Sequence, residues 1–448
     1  MARKLGLDGT ERRSVTSGGR ILVSQVELSD GLGGIIVPAH PGQAYTAVRV
    51  LVRLHLQPLG FVTVPLVGGQ LEAPSVAEAI WAELQAPLNA HLTDDGLEPV
   101  TSIPLDGLGA VSHPRCRQPP VGGPGWPLVT VVVCTRDRPA SLAHCLQALA
   151  QLTYAPFEVV VVDNAPTTRE TLALVQERSA GDPCVRYVRE QRPGLSCARN
   201  RGLREARGEL IAFTDDDVVV DPGWLDGVVH GFARSPSVAC VTGLVPSAHL
   251  DNAEQRYFDQ RVSWAVSCRP RRYDLAAGGQ ESALYPYTAG QFGTGANFAF
   301  RTAVLLALGG FDEALGAGAP AGGGEDLDVF VRTILAGHAI AYEPAAIVWH
   351  EHRPELRQLR RQLFNYGVGL AAFATKYLSN RRTARDVLVR LPRGLRHLHG
   401  IARRAERPAE LPRSVLASEV VGLAWGPIAY GLGRQRQGRQ QARRVSIL

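Results

Sequence analysis

LVTVVVC at residues 128–134 is the first of four short apolar runs that decide the fold of this chain. The other three are FEVVVVD (157–163), CVRYVRE (184–190) and ELIAFT (209–214). They are rich in β-branched residues and nearly continuous in apolar ones, which is typical of strands buried on both faces of a sheet. These runs therefore predict the core strands of an α/β domain.

Helix signals follow these runs along the chain. Pro139 suits the first position of a helix, and Thr167 with Glu170 forms a capping box. Ser196 is placed to cap a third helix that ends near Arg207. Strands that alternate with helices predict a doubly wound, mostly parallel sheet with right-handed crossovers. Such sheets bind ligands at the carboxyl ends of their strands.

The composition is that of an ordinary globular protein. Of 448 residues, 45% are hydrophobic and 20% charged, which excludes a mostly disordered, collagenous or coiled-coil chain. The seven cysteines are scattered without CxxC spacing, so we expect a reducing compartment rather than a disulfide framework or a zinc knuckle.

No apolar run follows the basic N-terminus, and the most apolar stretch, 415–432, is interrupted by Glu419 and Pro427. We therefore expect neither a signal peptide nor a membrane span, and a cytoplasmic location.

Changes in composition divide the chain into five segments. We expect a disordered N-terminus at 1–18, a small α+β module of unassigned role at 19–110 and a linker rich in Pro and Gly at 111–127. The α/β domain that carries the chemistry takes residues 128–370, and a helical, Arg-rich region takes 371–448.

The C-terminal region holds most of the basic charge. From residue 379 onward, fifteen Arg stand against four acidic residues, a local net charge of about +11 in a chain whose total is +6. No aromatic residues are interleaved with the arginines of 381–404, so nucleic acid is not expected as a partner. Two interpretations stay open: an amphipathic helix packed on the core, or peripheral contact with an anionic membrane at its inner face.

Polar residues follow three of the predicted strands, at their carboxyl ends. They are Thr135, Arg136 and Asp137 after the first, Asp163 after the second, and Asp215, Asp216 and Asp217 after the fourth. Carboxylates at adjacent strand ends repel one another unless a cation lies among them. A nucleotide with Mg²⁺ or Mn²⁺ would supply it, because these ions prefer oxygen ligands. The alternative is that Asp215, Asp216 and Asp217 form a solvated acidic turn without a ligand.

Two further motifs lie downstream. PAGGGEDLDVFVR (320–332) places Glu325 and Asp326 at the start of a helix, where acidic residues are favoured by the helix dipole alone. A carboxylate after a glycine loop can also act as a general base, and Asp326 is the candidate. In VWHEH (348–352), His350 follows a strand-like run and could complete a metal site, although the spacing is not the HExxH of zinc enzymes.

The motifs occur in a recognisable order: CTRDRP, VVVVDNAP, GLSCARNRGL, FTDDDV, GANFAFRT, GGEDLDVFVR and WHEH. In this order they resemble the family 2 inverting glycosyltransferases, which have the A-type, nucleotide-diphospho-sugar-binding fold. The resemblance covers roughly residues 127–366. It implies an α/β fold for this region, to which the small N-terminal module and the helical tail are added.

The resemblance also implies a role for each matching residue. Those implied to contact the nucleotide sugar are Thr135, Arg136, Asp137, Asp163, Arg199, Asp215, Asp216 and Asn297. Asp217, the last residue of a DXD motif, and His350 would hold Mn²⁺ or Mg²⁺. Asp326, with Glu325 beside it, would take the proton from the acceptor hydroxyl.

The expected function is metal-dependent, inverting transfer of one sugar from a nucleoside-diphosphate sugar to a hydroxyl acceptor, such as a lipid-linked or cell-envelope glycan. The QxxRW motif of processive members is absent, and RRQLFNYG (360–367) lies in its place. One alternative is a sugar-phosphate nucleotidyltransferase, but CTRDRPASL (134–142) lacks the glycines of a triphosphate-binding loop. The other is a non-catalytic nucleotide-sugar-binding protein.

Overall fold

The structure is a computed structural model that describes residues 19–38, 44–66, 69–109, 114, 116, 125–181, 184–262, 267–276, 284–288, 290–352, 354–390, 411–412 and 414–445. The predicted disordered segment 1–18 lies outside the described residues, as do most of the predicted linker 111–127 and residues 391–410. The chain divides into two compact units. The first takes in Met1–Gln118, Ser247–Asp259 and Arg407–Leu411, and the second takes in Pro119–Pro246, Gln260–Glu406 and Pro412–Leu448.

The first unit contains a small sheet covered by one long helix. Strands β1 (Arg20–Glu27) and β3 (Tyr45–Leu54) are parallel, and β4 (Gln57–Pro65) pairs with β3 as an antiparallel hairpin. Short strands β2 (Ile35–Ile36) and β5 (Gln70–Leu71) form a separate pair. Helix α1 (Ala73–Asp94) buries the face formed by Val76, Ile80, Leu84, Leu88 and Leu92 against this sheet.

The second unit contains a nine-stranded sheet within the described residues, and its strands run in the order β10-β14-β11-β13-β9-β6-β7-β8, with β12 paired to β14. The strands are β6 (Val129–Thr135), β7 (Phe157–Asn164), β8 (Val185–Glu190), β9 (Leu210–Asp215), β10 (Val218–Val220), β11 (Val238–Leu244), β12 (Arg271–Tyr273), β13 (Asn297–Arg301) and β14 (Ala339–His350). The four predicted runs form β6 to β9, and they are mutually parallel. The predicted α/β class is confirmed.

The other helices that the structure describes lie between or after these strands in the sequence. They are α2 (Pro139–Leu149), α3 (Glu170–Gly181), α4 (Leu195–Glu205), α5 (Trp224–Ala233), α6 (Ala253–Arg261), α7 (Thr302–Ala307), α8 (Glu325–Leu335), α9 (Leu356–Ser379) and α10 (Ser414–Val445). Pro139 begins α2 as expected. The prediction that Ser196 caps α4 is wrong, because Gly194 holds the cap position with φ of 136° and the Ser196 hydroxyl donates to the Leu315 carbonyl over 2.8 Å.

Apolar side chains alternate between two cores, one on each face of the sheet. Val131 and Val133 of β6 lie in one core, together with Leu142 of α2. Val132 and Phe213 lie in the other, with Ala198 of α4. Burial on both faces explains why these strands read as continuous apolar runs.

β13 departs from the parallel pattern. It is inserted between β9 and β11 and runs antiparallel to both. The sheet is therefore parallel from β8 to β9 and mixed beyond it, a detail that the apolar runs alone did not predict.

Helices α9 and α10 pack closely through glycines. A Cβ at Gly422 would lie 2.2 Å from the Phe364 carbonyl oxygen, and one at Gly367 would lie 2.2 Å from the Glu419 carbonyl oxygen. The opposite side of α10 is exposed and apolar. By length and composition alone, residues Ser414–Arg439 of α10 could cross a membrane. The most apolar 18-residue stretch of this segment has a mean hydropathy of 1.4, and 22% of that stretch is buried.

Candidate active site

The site is built at the carboxyl ends of β6, β7 and β9. Thr135 pairs in register with Asp163, and Cys134 pairs with Asp215. Because these strands are parallel and aligned, the polar residues that follow them are delivered to the same edge of the sheet. β14 brings His350 to this edge from the other side, since β10 pairs Val218 with His350 directly after the acidic triplet.

Three side chains at this edge form a group that could hold a metal ion. Ligand atoms of Asp215, Asp217 and His350 all lie within 4.8 Å of one another, and His350 Nε2 is 4.0 Å from Asp217 Oδ1. The predicted metal ligands Asp217 and His350 are thus brought together, and Asp215 joins them. Two carboxylates and an imidazole form a donor set that suits Mn²⁺ or Mg²⁺.

His352 lies behind His350 and fixes its orientation. The Nδ1 atoms of the two rings are 3.1 Å apart, so one ring donates and the other accepts, and His350 Nε2 is left facing Asp217. Burial lowers the pKa of His352 to about 3, and the neighbouring His350 adds to this shift. A neutral His352 can therefore orient the imidazole of His350 through this hydrogen bond, as the partners of metal-binding histidines do. The alternate spacing in WHEH was its signal in the sequence.

Arg138 is a site residue that the sequence reasoning missed. Its guanidinium donates to Asp216 Oδ1 over 2.6 Å and to Asp217 Oδ2 over 3.1 Å. The Thr135 hydroxyl donates to Asp216 Oδ2 over 2.6 Å. Asp216 is buried by these contacts, whereas Asp217 also faces His350. The sequence signal was weak: CTRDRP offers two arginines, Arg136 and Arg138, as counter-ions for the acidic triplet and does not show which one pairs with it.

Arg199 of α4 lies at the centre of the site and is 2% exposed. It donates to Glu325 Oε1 and to the Gly295 carbonyl, each over 2.8 Å, and it is 3.5 Å from Asp215 Oδ1. Burial raises the pKa of Asp215, and the charges of Asp217 and Asp216 add to the shift although Arg199 opposes it. One buried cation therefore partly neutralises carboxylates from two different elements.

Asp326 lies in the first turn of α8, after Gly324 at φ of 87°. Its Oδ1 accepts the Leu327 backbone N–H over 2.9 Å. A Cβ at Gly295 would lie 3.2 Å from Asp326 Oδ2, so that oxygen faces the loop before β13 and the Arg199 guanidinium. Tyr366 lies near the same two acids, Asp326 and Asp215.

Asp163 is fully buried at the end of β7, and its Oδ2 accepts a hydrogen bond from the Tyr187 hydroxyl over 2.9 Å. Its Oδ1 has no hydrogen-bond partner within the described part of the chain. A buried acceptor without a donor is costly, and an N–H group of a nucleotide base would satisfy it. Burial also raises the pKa of Asp163.

The other predicted residues have different surroundings. Asp137, at φ of 52°, accepts the Thr167 N–H over 2.8 Å, which lowers the pKa of Asp137. Arg136 is half-exposed, and its Nε is 3.9 Å from Asp137 Oδ2. Asn297 is buried, accepts from Trp224 Nε1 and donates to two backbone carbonyls, so its amide anchors β13, and its contact with a sugar stays a prediction.

The α/β domain is similar to known proteins. Residues 124–366, more than half of the chain, match the family model described as "Glycosyltransferase like family 2". The chain belongs to this family, and the resemblance seen in the sequence is confirmed.

Several curated proteins are similar to this chain. The pre-mycofactocin glycosyltransferase of Mycobacterium tuberculosis is 30% identical over 271 residues, 60% of this chain and 51% of the relative. The succinoglycan biosynthesis protein ExoM of Rhizobium meliloti is 30% identical over 282 residues, 61% of this chain and 79% of the relative. The glucosyl-dolichyl phosphate glucuronosyltransferase of Haloferax volcanii is 27% identical over 187 residues, 41% of this chain and 56% of the relative. The chain thus spans about half the length of the first relative.

Among solved structures, the mannosyltransferase PcManGT from Pyrobaculum calidifontis, in complex with GDP-Man and Mn²⁺, is 21% identical with a TM-score of 0.44. The match covers 71% of this chain and 91% of that one.

Proposed function

We propose that the protein is a metal-dependent, inverting glycosyltransferase that moves one sugar from a nucleoside diphosphate to a hydroxyl acceptor. The observation that carries this proposal is the convergence of two groups on one edge of the sheet. The metal-capable group of Asp215, Asp217 and His350 lies there. Asp326 lies beside it, linked through Arg199 and the Gly295 loop.

The residues present fit the donor. Asp163 offers a buried acceptor to a base, and Asp217 and His350 would hold Mn²⁺ or Mg²⁺, with Asp215 close to both. When bound, the ion supplies positive charge that stabilises the leaving diphosphate. Arg138 and His352 hold Asp217 and His350 in place for that role.

Asp326 is the proposed base. The acceptor oxygen forms a bond to the anomeric carbon while the bond from that carbon to the diphosphate oxygen breaks and its electron pair leaves with the diphosphate. The acceptor proton passes to the Asp326 carboxylate. A single displacement on the face opposite the leaving group inverts the anomeric centre. Asp326 Oδ2 suits this role because Asp326 Oδ1 is occupied by the Leu327 N–H.

We also propose that the enzyme works at the surface of an anionic membrane on a lipid-linked acceptor. Helix α10 supports this part of the proposal, because its side opposite α9 exposes large apolar residues such as Val420, Val421 and Ile428. Arg434 and Arg439 follow towards its C-terminal end and are exposed. Apolar area together with basic charge is typical of interfacial helices.

The test is calorimetric titration with UDP, GDP and dTDP, each with and without Mn²⁺. We expect one nucleotide to bind, and binding to require the metal. Asp217→Asn should abolish the metal-dependent part of nucleotide binding. Glu177→Gln, which removes an exposed acid on α3, should bind the nucleotide as the wild type does. A folded protein that binds none of the three nucleotides contradicts the proposal, and equal binding without metal contradicts its metal dependence.

A further inference from the structure

A second cluster of metal-ligating side chains lies in the first unit. It consists of His55, His91, Asp95 and Cys116, whose ligand atoms all lie within 4.8 Å of one another. The cluster is interior: the side chains of His55 and Asp95 are 3% and 2% exposed, and that of His91 is 14% exposed. Buried imidazole, carboxylate and thiol groups that converge in this way need either complete hydrogen bonding or a cation.

Three separate parts of the chain deliver these ligands. His91 and Asp95 are four residues apart at the C-terminal end of α1, so they face the same side. His55 is at the tip of the β3–β4 hairpin, and Cys116 lies beyond the helix. Asp95 Oδ1 accepts the Cys116 backbone N–H over 2.8 Å, which leaves Asp95 Oδ2 directed at the other ligands.

The hairpin tip is strained in a way that places His55. His55 and Leu56 have φ of 53° and 63°, two successive non-glycine residues in the left-handed region. Glu27 holds them there, because its two carboxylate oxygens each accept one of their backbone N–H groups over 2.9 Å. Backbone strain that is maintained by surrounding hydrogen bonds is characteristic of segments that hold a ligand. The clamp directs the His55 imidazole into the cluster.

The distances between the ligand atoms scatter around those of tetrahedral coordination. Bonds of about 2.0–2.1 Å to nitrogen or oxygen and about 2.3 Å to sulfur imply ligand atoms about 3.3–3.6 Å apart. His91 Nε2 is 3.3 Å from both His55 Nδ1 and Asp95 Oδ2. Cys116 Sγ is 3.1 Å from Asp95 Oδ2 and 3.8 Å from His55 Nδ1. The pair of His55 Nδ1 and Asp95 Oδ2 is closer, at 2.6 Å.

The geometry argues against a nucleophilic triad of Cys, His and Asp. In such a triad the acid binds the ring nitrogen opposite the one that faces the nucleophile. Here Asp95 and Cys116 both face Nδ1 of His55. One atom cannot orient the ring and also take the proton from the thiol, so the arrangement does not support a catalytic cysteine.

We infer that His55, His91, Asp95 and Cys116 form a structural Zn²⁺ site. Thiolate and imidazole ligands select Zn²⁺ over Mg²⁺, Mn²⁺ or Ca²⁺, and four protein ligands leave no open position for substrate. The ion fastens residue 116 to the hairpin and the helix of the first unit. The site is independent of the proposed transferase chemistry.

The test is metal analysis of the full chain, purified without added zinc, by inductively coupled plasma mass spectrometry. We expect about one Zn²⁺ per chain, lost in Cys116→Ser and His91→Ala. Cys184→Ser and His144→Ala, which remove exposed side chains, should keep it. Replacement by Co²⁺ should give a thiolate charge-transfer band that disappears in Cys116→Ser.

The Co²⁺ band distinguishes metal bound at this site from metal bound at the edge of the large sheet, because the metal-capable group at that edge contains no thiol. Asp217→Asn should therefore keep both the zinc and the band. Folded wild-type protein that contains no zinc and takes up none from an equimolar supply overturns the inference, whatever the variants do. Equal zinc in wild type, Cys116→Ser and His91→Ala also overturns it.

Discussion

Arg199 Nη1 donates to Glu325 Oε1 over 2.8 Å, in an ion pair whose side chains are 3% and 7% exposed. This pair joins α4 to the first turn of α8 and holds the residue before Asp326 in place. Burial raises the pKa of Glu325, Asp326 adds to the shift, and Arg199 opposes it. Loss of the guanidinium therefore leaves buried carboxylates without their counter-ion.

Arg199→Met should destabilise the protein by about 3–5 kcal/mol, the usual cost of removing one partner of a buried pair. Arg201→Met on the same helix breaks a partly exposed pair with Glu205 and should cost less than about 1 kcal/mol. The double variant Arg199→Met/Glu325→Gln should recover part of the loss. Urea unfolding measures all three, and equal costs for the two arginines would show that the buried pair is not structurally important.

Asp326→Asn should lower kcat about 10²- to 10⁴-fold, the range that a general base contributes. Nucleotide affinity should stay near that of the wild type, because the amide keeps the shape of the side chain and Asp326 is not a member of the metal-capable group. Steady-state kinetics and calorimetry on the same preparation separate the two effects. Retained turnover would remove Asp326 from the role of base.

His352 should make stability depend on pH in the metal-free protein. Its pKa is lowered from 6.5 to about 3 by burial, so the unfolded chain binds this proton over a range where the folded protein does not. The free energy of unfolding contributed by His352 is therefore complete above pH 6.5 and falls as the pH drops towards 3. The slope is at most about 1.4 kcal/mol per pH unit.

His352→Asn should remove this contribution to the slope, measured by urea unfolding with EDTA between neutral and acidic pH. His144→Asn, on the exposed side of α2, is the matched control and should keep the slope of the wild type. An unchanged slope in His352→Asn would mean that its imidazole is charged in the folded protein.

The strands β6 to β9 could be predicted because burial on both faces leaves a local record, a run of apolar residues. The proximity of Asp217 and His350 could be anticipated from the resemblance to the family 2 glycosyltransferases. Arg138 and the antiparallel β13 could not, since both depend on pairing between distant segments. The cluster of His55, His91, Asp95 and Cys116 is the clearest case of a feature that the sequence did not predict. Cys116 and His55 are 61 residues apart, so nothing in the spacing of the cysteines indicated that the two residues lie together.

Gly422 should be essential for the packing of α10 on α9. In Gly422→Ala, the new Cβ would meet the Phe364 carbonyl oxygen, a backbone atom that cannot move aside alone. We expect a loss of about 1–3 kcal/mol, the usual cost of overpacking. Gly431→Ala, where nothing lies within 4 Å, should instead gain up to about 1 kcal/mol from helix propensity. Equal effects in thermal unfolding would contradict this packing.

The exposed side of α10 should bind anionic vesicles. Burial of an isoleucine in an apolar environment contributes about 1.5–3 kcal/mol, so Ile428→Glu should weaken vesicle binding at least about tenfold. Leu306→Glu introduces the same charge at an equally exposed site on α7 and should bind as the wild type does, since Leu306 is 52% and Ile428 54% exposed. Sedimentation with phosphatidylglycerol vesicles at low and high salt measures both. Salt should weaken binding through the arginines but not abolish it, and equal binding by the two variants would exclude α10 as the membrane contact.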